Sequence, residues 1–298
     1  MGSRTPLRSP RFRTPPDPLT KDTVMAESLV KDLIEAGIHF GQRSSNWNPK
    51  MKQFIYGKRN SIHIIDIKET VKGLLLAKKF VARVVADGKD VCFVGTKRQA
   101  KDVLLERVPA VKMHCVTERW LGGTLTNFRT IRSRLKRLEE LEAIEANDNF
   151  ASYSKKMESQ LRRESSKIKR NLDGIRHMSK LPGCLVIVDL KREMNAVLEA
   201  KKLGIPTICL LDTDGDPDMV DIAIPGNDDS MRSIDVVIRE ICAAVAEGKQ
   251  QRTTTTGDRE NASGEATEQQ PRRSRRAQFK ADGSSAEVEV GASSEPSA

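Results

Sequence analysis

The chain predicts an α/β fold, a parallel sheet with helices on both faces and an inserted α-helical hairpin. Three observations carry this reading. The apolar runs Val91–Val94, Cys184–Leu190 and Pro206–Leu211 have the character of strands buried on both faces. The segments between them repeat apolar residues at helical spacing. Residues 126–180 break that rhythm with narrow apolar seams in highly charged surroundings.

In chain order, Leu29, Leu33 and Ile34 give a first helix ending at Gly37. A second helix is expected to start at Asp66, with Glu69 placed as in a capping box, and to run through Val71, Leu74, Leu75, Val81 and Val85 to Gly88. The strand Val91–Val94 closes at Gly95-Thr96, another helix follows, and Val111–Val116 is the next strand. Ile131, Leu135, Leu138, Leu141 and Ile144 recur every three or four positions. After a break at Asn147-Asp148-Asn149, Met157, Leu161, Ile168, Leu172 and Ile175 do the same, which predicts an antiparallel helical hairpin. Cys184–Leu190 is a strand, Glu193–Leu203 a helix stopped by Gly204, and Pro206–Leu211 a strand. The short strand Asp221–Ile224 and a helix Ser230–Glu247, with Ile234, Val237, Ile238, Ile241 and Val245 on one face, complete the body. The α/β body therefore spans 25–125 and 181–248, with 126–180 inserted. Residues 1–24, with five prolines, and 249–298, rich in Ser, Thr, Gly, Glu and Arg, are expected to be disordered tails. Translation starting at Met25 rather than Met1 would also account for the first of them.

Charge is strongly partitioned. The 298 residues carry a net charge of +10, which favours an anionic partner. Residues 41–60 hold Arg43, Lys50, Lys52, Lys58 and Arg59 and no acid, and residues 126–180 are net +6, whereas residues 181–248 are net −7. A polyanion is therefore expected on the first 180 residues. No apolar run reaches membrane-spanning length and the N-terminus has no apolar h-region, so neither a membrane partner nor a secretory signal is expected. The five cysteines stand singly in apolar runs, as reduced thiols do in a reducing compartment, and the chain is expected in the cytoplasm.

Catalytic signatures are weak. Gly95-Thr96-Lys97-Arg98 follows a strand but lacks the spacing of a phosphate loop, and no GxGxxG is present. It reads instead as a strand-to-helix turn with Lys97 and Arg98 facing solvent or phosphate. Asp212–Asp218 has the look of a calcium loop, but its sixth and twelfth positions are Pro217 and Ala223. Turn-forming side-chain bonds suit these aspartates better. Four histidines lie scattered without ligand spacing. No catalytic residue, cofactor, metal or small-molecule substrate is expected. The alternative class is a nucleotide-binding α/β enzyme using the strand ends near Thr96 and Asp212, where doubly wound sheets place ligands.

The residues singled out for RNA are Arg43, Trp47, Lys50, Lys52, Lys58 and Arg59 in what reads as a loop, then Lys97 and Arg98, then Arg119, Arg129, Arg132 and Lys136. In residues 41–60 the aromatics Trp47, Phe54 and Tyr56 interleave with the basic groups; cations neutralise phosphates and exposed aromatics stack on unpaired bases. Trp47 and Phe54 fit equally as anchors of a loop to the core. The basic face of the first hairpin helix fits either phosphate contact or plain solvation.

The segments Ala36-Gly37-Ile38-His39-Phe40-Gly41, Trp47-Asn48-Pro49-Lys50-Met51 and Phe54-Ile55-Tyr56-Gly57 with Arg59-Asn60 resemble the opening of the bacterial second small-subunit ribosomal protein family. Phe93–Lys97, Arg119–Gly123 with Leu125-Thr126-Asn127, Leu203–Pro206 and Ile224–Asp229 match that family in order, over about residues 26–247. The resemblance implies a flavodoxin-like domain with a protruding coiled-coil hairpin. It implies contact with small-subunit ribosomal RNA near the head–body junction and help in docking the subunit's large OB-repeat protein. Gln42 departs from the pattern, standing where many bacterial members carry a second His, which weakens any metal site near His39. Both tails are longer than is usual for bacterial members.

Overall fold

The computed structural model describes residues 28–146 and 154–267, with side chains as far as Arg252. The expected tail 1–24, the helix break at 147–149 and the tail beyond 267 lie outside the described residues. The chain forms two compact units, Met1–Thr256 and Gly257–Ala298, and every side-chain contact given below is within the first.

The body is a five-stranded, wholly parallel sheet in the order β5-β4-β6-β7-β8. Its strands are β4 (Val91–Val94), β5 (His114–Val116), β6 (Cys184–Val188), β7 (Thr207–Leu211) and β8 (Ile222–Pro225). Alternate strand residues face opposite ways, and each face builds its own core. Val91, Phe93, Val186, Val188, Ile208 and Leu210 pack under α1 (28–36), α2 (Ile67–Ala86), α3 (Arg98–Ala110) and α7 (Met231–Thr267). Cys92, Val94, Leu185, Ile187, Cys209 and Leu211 pack under α6 (Met194–Leu203), the short 3-10 helix Pro49–Phe54 and the base of the hairpin. The expected parallel sheet with helices on both faces is the observed one.

Local signals set most boundaries. The Asp66 carboxylate accepts from the Lys68 amide and caps α2. Glu69 does not close the expected capping box, because its carboxylate pairs with Lys72 instead. Gly204 ends α6 at φ +65°, where a side chain would be strained. The hairpin is α4 (Phe128–Ala146) against α5 (Lys155–Leu172). Ile131, Leu135, Leu138 and Leu141 are buried on α4, but on α5 only Leu172 is, and Met157 at its start is 45% exposed. The far end of the seam is thus thinner than its spacing predicted. All five cysteines are free and buried, and burial pushes the Cys242 thiol up to about 11.

Two expectations need correction. Residues 41–60 are not a loop. They form, with β3 (Ile62–Ile65), an antiparallel sheet of order β1-β3-β2, in which β1 is Phe40–Arg43 and β2 is Ile55–Arg59. Asn60 and Ser61, both at positive φ, make the tight hairpin turn that joins β2 to β3. The strands are short and each is interrupted by an irregular register, so no clean alternation showed in the sequence. The last helix also does not stop at residue 248 but continues to Thr267. Gly248 is not a terminator: a side chain there would meet the Ala82 carbonyl of α2 at 2.6 Å, so its bareness permits close helix packing. Lys249 extends the contact by donating to the Val111 carbonyl at 2.5 Å.

Candidate nucleic-acid interface

The β1–β3–β2 sheet and the 3-10 turn within it hold five of the basic residues expected to meet RNA. Arg43 ends β1, Lys52 lies in the 3-10 turn, and Lys58 and Arg59 end β2; all four are exposed and make no ion pair among the described residues. The register brings Arg43 and Arg59 to either side of Ile62. Lys50 is different, because Asp216 and Asp218 each hold its ammonium at 2.8 Å. Trp47 is half-buried and packs on the His63 ring, centroids 5.0 Å apart, and Phe54 packs on the lower core. These two aromatics anchor the segment. Of the three aromatics interleaved with these cations, Tyr56 is the exposed one, at 82%.

Lys97 also departs from expectation. It caps the strand end after β4, yet its side chain is 12% exposed and its ammonium sits 2.7 Å from Asp228 and 2.6 Å from Asp229, with Asp189 at 3.6 Å. Burial opposes the charge, but the hydrogen bonds that the ammonium donates to Asp228 and Asp229 outweigh it and raise the pKa. Among the partners Asp228 gives way: burial, only partly offset by Lys97, pushes its carboxyl up to about 7. Asp212, raised by burial to about 6, accepts from the Thr213 amide at 2.5 Å and from Gln42. This cluster occupies the carboxyl ends of β4, β6, β7 and β8, beside the point where the strand order reverses around β4. Doubly wound enzymes bind ligands in that crevice. Here the crevice holds an internal ion network, in which Lys97 is taken by Asp228 and Asp229.

Asp212, Asp228 and Asp229 bring carboxylate oxygens within 4.8 Å of one another, the spacing a metal ion needs. Their partners are protein donors instead: Lys97 on Asp228 and Asp229, and the Gln42 amide on Asp212 at 3.1 Å and Asp229 at 2.8 Å. Gln42 thus supplies a donor to two of the three carboxylates. Downstream, Asp216 accepts from the Asp218 amide at 3.1 Å, the turn chemistry expected of this run.

The remaining cations flank a loop that burial of one acid holds in place. Glu199 on α6 accepts from Trp120 Nε1 at 3.0 Å and Gly123 N at 2.8 Å through one oxygen. Its other oxygen takes Leu125 N at 3.0 Å and Thr126 N at 3.2 Å. Burial opposes ionisation, but these bonds outweigh it and hold the carboxyl below its ordinary value. Trp120 is therefore core, while Arg119 beside it stays exposed. Neither Glu199 nor this role was visible beforehand, since nothing in Leu198-Glu199-Ala200 separates it from a solvated helix position. Arg98, Arg129 and Lys136 are exposed without ion pairs among the described residues, and Arg132 donates to the Ser179 carbonyl at 3.0 Å.

Comparison with known proteins agrees with this architecture. Residues 33–248 match the family described as Ribosomal protein S2. A protein of Rhodopirellula baltica named small ribosomal subunit protein uS2 is 55% identical over 242 residues, covering 81% of this chain and 93% of that protein. A relative of the same name from Syntrophobacter fumaroxidans is 46% identical over 225 residues, covering 76% of this chain and 82% of its own. Another, from Salinispora tropica, is 48% identical over 225 residues, covering 75% and 76%. No helix among the described residues is long and apolar enough to cross a membrane. By the match across its whole α/β body, this chain belongs to the ribosomal protein S2 family.

Proposed function

We propose that this chain is a structural, non-catalytic constituent of the small ribosomal subunit, working in the cytoplasm, that binds ribosomal RNA chiefly through the β1–β3–β2 sheet. The observation that carries the RNA surface is the sheet's charge. Arg43, Lys58 and Arg59 on its strands and Lys52 in the adjoining 3-10 turn are exposed and without carboxylate partners among the described residues, in a segment with no acid of its own. Arg98, Arg119, Arg129 and Lys136 extend the contact toward the hairpin. Lys97 leaves the list because Asp228 and Asp229 already neutralise it, and Lys50 is compensated by Asp216 and Asp218. Trp47 contributes by holding the segment on His63. Docking of the subunit's large OB-repeat protein belongs to the same reading and rests on the family resemblance alone.

Each phosphate neutralised contributes about 0.7–0.9 to the slope of log affinity against log salt. Changing Arg43, Lys52 and Arg59 together to Ala is expected to flatten that slope by about two to three in titrations against small-subunit ribosomal RNA. Lys79, Lys201 and Lys202, exposed on α2 and α6, serve as the charge-matched control. Equal flattening by both triple variants would place the interface elsewhere.

A further inference from the structure

The small sheet has two unlike faces. His63 and Ile65 are buried on the side turned to the body. Residues directly opposite in antiparallel strands share a face, so the register sets the outer side. Phe40, Ile64 and Gly57 form one cross-strand row and Arg43, Ile62 and Arg59 the next. Phe40 is 48% exposed and Ile62 and Ile64 are only half-buried. A side chain built at Gly57 would meet nothing within 4 Å, so the backbone there is bare and open. Tyr56 is the extra residue where β2 bulges, since Ile55 pairs with Ile65 and Gly57 already pairs with Ile64. It is 82% exposed, and no ring or hydrogen-bond partner among the described residues holds it.

An apolar floor, a projecting aromatic ring and a guanidinium on either side of Ile62 match one chemistry: planar bases joined by phosphates. A duplex hides the faces of its bases in the stack, and only an unpaired strand can lay them on a ring. Tyr, Phe and Arg also suit protein interfaces, but a run of 20 residues with five cations and no acid favours a polyanion. We propose that the outer face of the β1–β3–β2 sheet is a platform for unpaired RNA, on which Tyr56 stacks a base beside the bare backbone of Gly57 while Arg43 and Arg59 take adjoining phosphates. This rests on the RNA-binding reading above and names the form of RNA that the surface selects.

The test uses the full chain and two probes, a non-self-complementary single-stranded 12-nucleotide RNA and a 12-base-pair RNA duplex, titrated at one salt concentration. Stacking on an aromatic side chain accounts for about 1–3 kcal/mol per base, which corresponds to about 5- to 150-fold in affinity. Tyr56→Leu is expected to lower single-strand affinity within that range and duplex affinity far less, and Tyr56→Phe, which keeps the ring, to restore it. Gly57→Val places bulk on the floor without a clash in the fold, and should weaken single-strand binding as well. If Tyr56→Leu and Gly57→Val bind the single strand like wild type while the Arg43, Lys52 and Arg59 triple variant does not, the platform is overturned and the RNA-binding reading stands. If the two substitutions leave RNA affinity unchanged but block uptake of the protein into small subunits lacking it, the face docks a protein and the platform is likewise overturned. Failure of wild type to bind any RNA would sink both readings.

Discussion

Replacing Glu199 should unfasten the loop that joins the α/β body to the hairpin. Its carboxylate accepts from the Trp120 indole, from the amides of Gly123, Leu125 and Thr126, and from the Thr126 hydroxyl. The Trp120 and Leu125 donors are fully buried in these bonds, and a buried donor left without an acceptor costs about 1–3 kcal/mol. Gly123 and Thr126 are nearer water and recover part of their loss. Glu199→Ala is therefore expected to cost about 3–5 kcal/mol, and to lower Tm by roughly 10 °C in a body of this size. Glu199→Gln should be nearly as damaging, because its amide would aim N–H groups at N–H groups on one side of the fork. The pH dependence has a definite sign. A carboxyl held below its ordinary value of 4.5 contributes stability that is complete above that pH and is lost as pH falls through the lower folded value. Urea unfolding at pH 7 and at successively lower pH, for wild type and both variants, reads all three quantities. A loss under about 1 kcal/mol, or a Gln variant as stable as wild type, would refute the view that this acid holds the loop.

Lys97→Met should leave Asp228 and Asp229 without their cation and cost about 3–5 kcal/mol in urea unfolding, where a residue merely lining an RNA surface would cost almost nothing. Asp228→Asn should change the pH profile in the opposite sense to Glu199. The raised Asp228 carboxyl contributes stability that is complete below about 3.8 and lost as pH rises to about 7. The Asn variant should therefore gain on wild type by about 1–3 kcal/mol between pH 4 and 7, and a parallel profile would refute the assignment. Leu138→Asp places a charge at a fully buried seam position of α4 and should cost about 2–4 kcal/mol, seen as lower helicity and an earlier thermal transition.

The parallel sheet was legible because its strands are buried on both faces, so Val91–Val94, Cys184–Val188 and Thr207–Leu211 are apolar at every position but Thr207 and need no pattern to be seen. The hairpin was legible for the complementary reason: one packed face per helix leaves a period of three to four residues. The small sheet was hidden. Its strands are four or five residues long and bulged, and Arg43, Lys58 and Arg59 on edge strands look like loop charge until pairing places them on a common surface. For the same reason Trp47 rather than Tyr56 was the aromatic expected at RNA, although both are interleaved with the same cations: size and apolarity are written in the chain, but exposure is not.

The amino-acid sequence by itself determined the α/β class, the inserted hairpin and the sign of the partner. Burial and net charge are sums over residues, and sums survive without coordinates. Only the tertiary structure decided which cations are available. Lys97 and Arg98 are neighbours in the chain, yet Lys97 ends 2.7 Å from Asp228, more than a hundred residues away, while Arg98 stays exposed. A charge acts on a polyanion only if no nearer carboxylate has taken it, and long-range pairing of strand ends settles that question.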